Sequence, residues 1–429
     1  MKIRLYNAKI MTMEAGRSIF SGEIHIQDDK ILSIIDTEGE IPPLTDRFDK
    51  EIDCKGNLLM PGFKDAHTHS PMTFLRSYAD DMELDTWLNT RVFPMEARLD
   101  EESIYEFGRL AILEYLTSGI TSIFDMYIMP DVMAKVCMDT GMRCCLVSGL
   151  NRFTSSIEKL TDEYVRWNKA DPLIKYHLGF HAEYTTTEPL LKELSEVANH
   201  YRAPVYTHMS ETAHEVAGCK ERYGMTPPVY LDSLGLFEYG GGGYHCVHFT
   251  SEDMDVFSKK GLYVITNPAS NLKLASGVAP ISEFVNRGIP VAIGTDGSAS
   301  NNCLDMFREM FLVTGLEKNR TGDASCLDAE LILQMAVVNG AHAMGLEDCD
   351  ILASGKQADI IMINLNQPNM QPIHNIAKNL VYSGSKSNIA MTMIAGKILY
   401  YDGTFYVGES PEAIYEKCEK KCKIIFEGN

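Results

Sequence analysis

The sequence predicts a (β/α)8 TIM barrel that carries a small β-sandwich domain built from both chain termini. Three observations predict it. Short apolar runs recur through the middle of the chain, the two ends alternate polar and apolar residues, and polar clusters sit at the C-terminal ends of the apolar runs. Composition agrees with a folded protein. The 429 residues are 45% hydrophobic and 23% charged, too apolar for a disordered chain. A chain of this length suits two or three domains, or one large barrel with an accessory domain.

The N-terminal elements come first. Lys2-Ile3-Arg4-Leu5 and Glu23-Ile24-His25-Ile26-Gln27 alternate as half-buried strands, and Asp28-Asp29 turns the chain into the run Ile31 to Ile35. The middle holds eight apolar runs: Leu58 to Phe63, Ile120 to Met126, Cys144 to Leu150, Tyr176 to Phe180, Pro204 to Thr207, Tyr244 to Phe249, Leu262 to Thr266 and Pro290 to Gly294. Near-continuous apolarity marks strands buried on both faces, as in a parallel sheet. Eight strand–helix units between residues 58 and 349 fit a closed barrel. A doubly wound open sheet is the alternative, and the lack of a glycine-rich phosphate loop after the first strand weighs against it. Gly240 to Gly243 precedes the sixth run and reads as a flexible loop. Residues 350–405 return to β patterning, with Ala395-Gly396 between strand-like runs, and join residues 1–57 in the small domain. Residues 406–429 form a C-terminal helix. Ser410 can cap it, Pro411 suits its first turn, and Ile414, Cys418, Cys422 and Ile425 share a face.

Charge and cysteine usage narrow the partners. Thirty-nine Lys and Arg against 59 Asp and Glu give a net charge of −20, a field that repels a nucleic-acid polymer. The start, MKIRLYNAKI, has no apolar core of a signal peptide, and no apolar run approaches the roughly 18 residues that cross a bilayer. Eleven Cys without a CxxC pair read as reduced thiols. The expectation is a cytoplasmic protein with no membrane partner. A homo-oligomer stays open.

The chemistry gathers where a barrel builds its active site, at the C-terminal ends of the strands. The clusters are Asp65-Ala66-His67-Thr68-His69, His181-Ala182-Glu183, His208-Met209-Ser210-Glu211, His245-Cys246-Val247-His248 and Thr295-Asp296-Gly297. His67 and His69, one residue apart on a strand, point the same way and can chelate a divalent cation. His208 and Asp296 add a third imidazole and a carboxylate from two other strands, a set that suits zinc, with iron or manganese as alternatives. No Lys ends the fourth run, where a carboxylated side chain could bridge two ions, so one divalent metal is expected. Asp65 sits behind these ligands, and His248 reads as a residue that orients a neighbour. The stretch Asp80 to Arg98 reads as a loop or helical lid, with Trp87 and Phe93 stacking on a base or packing on the barrel.

The runs PGFKDAHTH, HMSET, HCVH, NPASNLKL and GTDGSASNN resemble the amidohydrolase superfamily. More closely, they are similar to its 5-methylthioadenosine/S-adenosylhomocysteine deaminases, relatives of chlorohydrolases and guanine deaminases. The resemblance covers nearly the whole chain. It implies His67, His69, His208 and Asp296 as metal ligands, Glu211 as a proton-shuttling carboxylate and His245 as the residue flanking the attacking oxygen. It also implies that Glu96, in FPMEARL, accepts the ribose 2′- and 3′-hydroxyls and that His181 binds substrate. The implied reaction is hydrolytic deamination at C6 of an adenine ring, with Asp296 as base, Glu211 as acid at the neighbouring ring nitrogen and ammonia as product. The implied partner is a small-molecule nucleoside.

One departure bears on the 5′ end. Members that take S-adenosylhomocysteine are expected to hold its carboxylate with two arginines after the third strand, and those positions here are Ser148 and Ser156. Arg152 lies between them, either as a substitute or as a solvated loop residue. The favoured substrates are therefore 5′-methylthioadenosine, 5′-deoxyadenosine and adenosine. Two rivals remain: a deaminase or chlorohydrolase of a free base or triazine, for which a diol-binding Glu96 has no use, and a non-catalytic scaffold, which would have lost metal ligands.

Overall fold

The computed structural model describes residues 1–41, 47–153 and 156–427, with Asp85 described by its backbone alone. Eight strands form the central parallel sheet: Phe63–Thr68, Ile120–Asp125, Arg143–Val147, Ile174–Ala182, Val205–Met209, Gly241–His245, Tyr263–Thr266 and Val291–Ile293. Each pairs in parallel with the next. Every residue of the first, second, third, fifth and sixth is buried; in the second, third and fifth the burial on both faces shows in the sequence as largely apolar runs. The seam between the eighth strand and the first is closed at the rim. Asp296 N–H donates to the His67 carbonyl at 2.9 Å, and the Asp65 carboxylate accepts the Thr295 N–H and hydroxyl at 2.8 and 2.6 Å. Asp65 thus ties the barrel shut behind the histidines.

The small β domain from both termini is a nine-stranded mixed sheet with its own core of Ile3, Leu5, Ile24, Ile26, Leu59, Ile360 and Met391. The two chain ends meet at Leu58–Pro61, which pairs in parallel with Lys2–Ile10 and antiparallel with Ile360–Ile363. The run expected as the first barrel strand, Leu58 to Phe63, is therefore divided. Its first four residues belong to the terminal sheet, and the barrel begins at Phe63. Gly62 lies at the division, where a Cβ would come 2.1 Å from the Thr121 side chain.

The sixth strand corrects a second expectation. Three of the four glycines read as a loop, Gly241 to Gly243, begin the strand itself, Gly241–His245. A Cβ on Gly241 would fall 1.9 Å from the Val205 carbonyl oxygen, and one on Gly242 would fall 2.3 Å from that of Tyr263. The neighbouring strands approach too closely for side chains there.

The C-terminal helix spans Pro411–Glu427, and the Ser410 hydroxyl accepts the Ala413 N–H at 3.3 Å. Ile414, Cys418 and Ile425 are buried, and the Cys418 thiol donates to the Glu106 carbonyl of helix Glu101–Thr117 at 3.4 Å. Residues 428–429 of the expected helical segment lie outside the described residues. Among those described, no helix is long and apolar enough to cross a membrane.

Candidate active site

Three histidines and Asp296 converge on the rim. His67 is completely buried, yet neither ring nitrogen has a hydrogen-bond partner among the described residues. An unpaired buried imidazole is costly unless another group meets it. His69 donates from Nδ1 to the Met126 carbonyl, and His208 does the same to the His181 carbonyl at 2.7 Å. A carbonyl only accepts, so Nδ1 carries the proton in both rings and Nε2 is left as a ligand. His69 Nε2 lies 3.2 Å and His67 Nε2 3.7 Å from Asp296 Oδ1. Ligand atoms of His67, His69 and Asp296 lie within 4.8 Å of one another, as do those of His67, His208 and His245. This donor set fits one divalent cation.

The electrostatics point the same way. Burial, with His69 close by, pushes the His67 imidazole well below its ordinary value, and burial with His181 close by does so for His208. Both rings are neutral, as ligands must be. Burial also disfavours charge on His69, but the facing Asp296 outweighs it and raises the ring to about 9. Asp296 resists burial and stays well below the carboxylate range because His69 donates to it. The pair holds a proton where a cation would replace it.

Asp296 is fixed by its own loop. Its φ of +59° is strained for a non-glycine residue. Its Oδ1 accepts the Gly297 N–H at 2.8 Å, and Oδ2 accepts the Ser270 and Ser300 hydroxyls at 2.6 and 2.8 Å. His245 Nδ1 is 2.7 Å from Asn271 Oδ1, which leaves its Nε2 3.9 Å from Glu211 Oε2 and 4.0 Å from Asp296 Oδ2. Glu211 Oε1 accepts the Ser276 hydroxyl at 3.3 Å, and His248 donates to the Ser276 carbonyl at 2.7 Å. His248 therefore does orient a neighbour. Burial raises the Glu211 carboxyl above its ordinary value; His245 opposes this and Asp296 adds to it.

Sequence reasoning missed the residues that hold these groups. Glu215, one helical turn past Glu211, accepts the backbone N–H of Ser210 at 2.7 Å and of Glu211 at 2.8 Å. Ser270 and Asn271 were visible only as letters of the NPASNLKL run. The spacing of Glu215 within HMSETAHE was the one available signal.

The expected substrate side is partly assembled. Glu96 ends the short helix Phe93–Glu96 and is half-buried, with Tyr127 beside it; burial raises its carboxyl and Tyr127 counteracts. Trp87 packs into the barrel core, whereas Phe93 is 43% exposed. His181 stands beside His208 with ring centroids 4.9 Å apart, its Nδ1 3.1 Å from the Thr185 hydroxyl, and burial lowers it to about 4. Ser148 is buried and its hydroxyl accepts the Leu150 N–H at 3.1 Å. Ser156 is exposed and caps helix Ile157–Ala170. Arg152 is exposed, with its guanidinium 4.7 Å from the Phe153 ring and no carboxylate in ion-pair reach among the described residues.

Residues 58–399 match the amidohydrolase family, a span that contains every site residue named above. The chain belongs to the amidohydrolase family. A 5-methylthioadenosine/S-adenosylhomocysteine deaminase of Pelotomaculum thermopropionicum is 39% identical to this amidohydrolase over 403 residues, covering 92% of this chain and 93% of the relative. A 5′-deoxyadenosine deaminase of Methanothermobacter thermautotrophicus is 38% identical over 405 residues, with coverage of 92% and 93%. The crystal structure of an adenosine deaminase from Xanthomonas campestris with bound zinc superposes with a TM-score of 0.91 at 30% identity, over 99% of this chain and 98% of that one. The amidohydrolase thus has the barrel and terminal β domain that its sequence predicts.

Proposed function

We propose that this amidohydrolase hydrolyses the 6-amino group from 5′-modified adenosines, giving the inosine analogue and ammonia. The observation that carries the reading is the convergence of three imidazoles and Asp296 beside an acid, Glu211, with Glu96 half-buried over the same rim. The names of the relatives support the same chemistry. His67, His69, His208 and Asp296 hold one divalent cation, zinc by preference, with Fe2+ or Mn2+ compatible with the same donors. When bound, the ion supplies the acidity that readies a water at neutral pH.

The side chains do the rest. Asp296, held well below the carboxylate range, receives the attacking water's proton; Glu211, whose carboxyl burial shifts upward, is the acid that gives a proton to the ring nitrogen beside C6. Opposite environments separate the two carboxyls, as acid–base division requires. His245, held by Asn271, faces both and stabilises the oxygen as it becomes anionic. Asp296 then returns the proton to the departing amine, and the proton left on the C6 oxygen passes to Glu211 as the carbonyl forms, restoring the acid. His181 contacts the substrate from the fourth strand, and Glu96 accepts the ribose diol.

The 5′ end favours small uncharged groups. Ser148 and Ser156 offer no cation, and Arg152 lies exposed against Phe153. An ionised carboxylate entering without a partner loses its hydration. Efficiency on 5′-methylthioadenosine, 5′-deoxyadenosine or adenosine should therefore exceed that on S-adenosylhomocysteine by at least about tenfold, or roughly 1.4 kcal/mol.

Glu96→Ala tests the reading. Two hydrogen bonds to a charged acceptor are lost, each worth about 1.5 to 3 kcal/mol. The variant should lose efficiency on 5′-methylthioadenosine far more than on a 2′,3′-dideoxy analogue. Equal losses on both would place Glu96 in packing instead.

A further inference from the structure

Lys273 ends helix Pro268–Lys273, the helix whose Ser270 and Asn271 hold Asp296 and His245. An ammonium has three donors. Here they reach Asp80 Oδ1 at 2.6 Å, Asn302 Oδ1 at 2.5 Å and the Ala299 carbonyl at 2.8 Å. The Asn302 amide in turn donates to Asp80 Oδ2 at 2.9 Å, so Lys273, Asp80 and Asn302 form a closed ring. Arg76 Nη1 braces the ring from outside by donating to the Asn302 carbonyl at 2.8 Å. Three rim segments meet there: the one that follows His69, the helix after the seventh strand and the loop that carries Asp296.

Asp80 opens the segment 80–98 that ends near Glu96. The far end of that segment is tied separately, by Arg98 Nη1 donating to the Ile425 carbonyl at 2.7 Å. The Lys273 and Asp80 side chains remain 21% and 32% exposed. Ion pairs this accessible contribute little to global stability. What the ring does supply is registry, since it orients three side chains from three segments at once.

We propose that Lys273 is a positioning residue for nucleoside recognition: through Asp80 it sets where the 80–98 segment, and hence Glu96, lies over the ribose. This rests on the reading of Glu96 as the diol-binding carboxylate. A methionine at position 273 keeps the stem and removes all three donors.

The test uses the full-length, metal-loaded enzyme carrying Lys273→Met. KM for 5′-methylthioadenosine should rise at least about tenfold while kcat stays within about threefold, because ground-state positioning is lost and the chemical groups are not. The preference for the ribonucleoside over its 2′,3′-dideoxy analogue should shrink toward that of Glu96→Ala. Lys273→Arg should recover part of it. Amide hydrogen exchange in residues 80–98 should quicken with the barrel strands unchanged. An equal kcat loss on both substrates, or unchanged exchange in 80–98, would overturn the proposal and place the effect of Lys273 on Asp296 and Asn271. A wild type without ribose preference would instead defeat the reading of Glu96, and the exchange data alone would then decide whether Lys273 positions the segment.

Discussion

His67 bears the strain of the site most directly. It is fully buried, stacks on Tyr244 with ring centroids 3.7 Å apart and has two nitrogens without a hydrogen-bond partner among the described residues. A ligand role, as proposed, would satisfy those nitrogens. Glu211 has a different duty, and a substitution separates the two. Glu211→Gln should lower kcat by about 10² to 10⁴, the span of general acid catalysis, while elemental analysis still finds one metal per chain. A variant that loses its metal, or keeps near-full activity, would contradict the assignment. At this scale the sequence was legible in the pairing of His67 and His69, whose ligand atoms the fold brings beside Asp296. It was silent on Ser270 and gave for Glu215 only its place four residues after Glu211. Their role is to hold backbone amides or another side chain, which is hard to tell from ordinary helix-start polarity.

Among the elements, the glycine strand is the plainest case of tertiary packing overriding pattern. Apolar periodicity finds strands through their side chains, and Gly241 to Gly243 have none to show. Closeness of the flanking strands explains them instead. Gly242→Ala should destabilise the protein by about 1 to 3 kcal/mol or more, because its Cβ meets the Tyr263 backbone oxygen and no flexible side chain can yield. The urea midpoint at constant m-value measures this. A change under about 0.5 kcal/mol, the size of an ordinary surface substitution, would mean that the strands relax apart. The divided run Leu58 to Phe63 shows the matching limit. Apolarity says that a strand is buried but not in which sheet, and the two sheets divide at Gly62.

The molecule as a whole is held together where barrel meets terminal sheet. Arg143 Nε and Nη2 donate to Asp359 Oδ2 and Oδ1 at 2.7 and 3.0 Å, and both side chains are buried. Asp359→Ala leaves the guanidinium buried without its carboxylate, so it should cost about 3 to 5 kcal/mol of stability. Burial pushes the Asp359 carboxyl up, but Arg143 outweighs it and leaves the group below its ordinary value. Its contribution is in force above the unfolded carboxylate value of about 3.9 and is lost as pH falls through the lower folded value. A variant as stable as wild type at neutral pH would show that the junction does not depend on this pair. That both chain ends join in one β sheet was legible in the sequence, whereas this cross-domain pair was not, since Arg143 and Asp359 lie far apart in sequence. The central claim is the reaction, and ammonia release by the purified, metal-loaded enzyme tests it most directly. Offered 5′-methylthioadenosine, 5′-deoxyadenosine, adenosine, S-adenosylhomocysteine, adenosine monophosphate and guanine, it should release ammonia from the first three, at least about tenfold less efficiently from the fourth, and least from the phosphate ester and the free base. Ammonia from guanine alone, or from none of the nucleosides, would contradict the account.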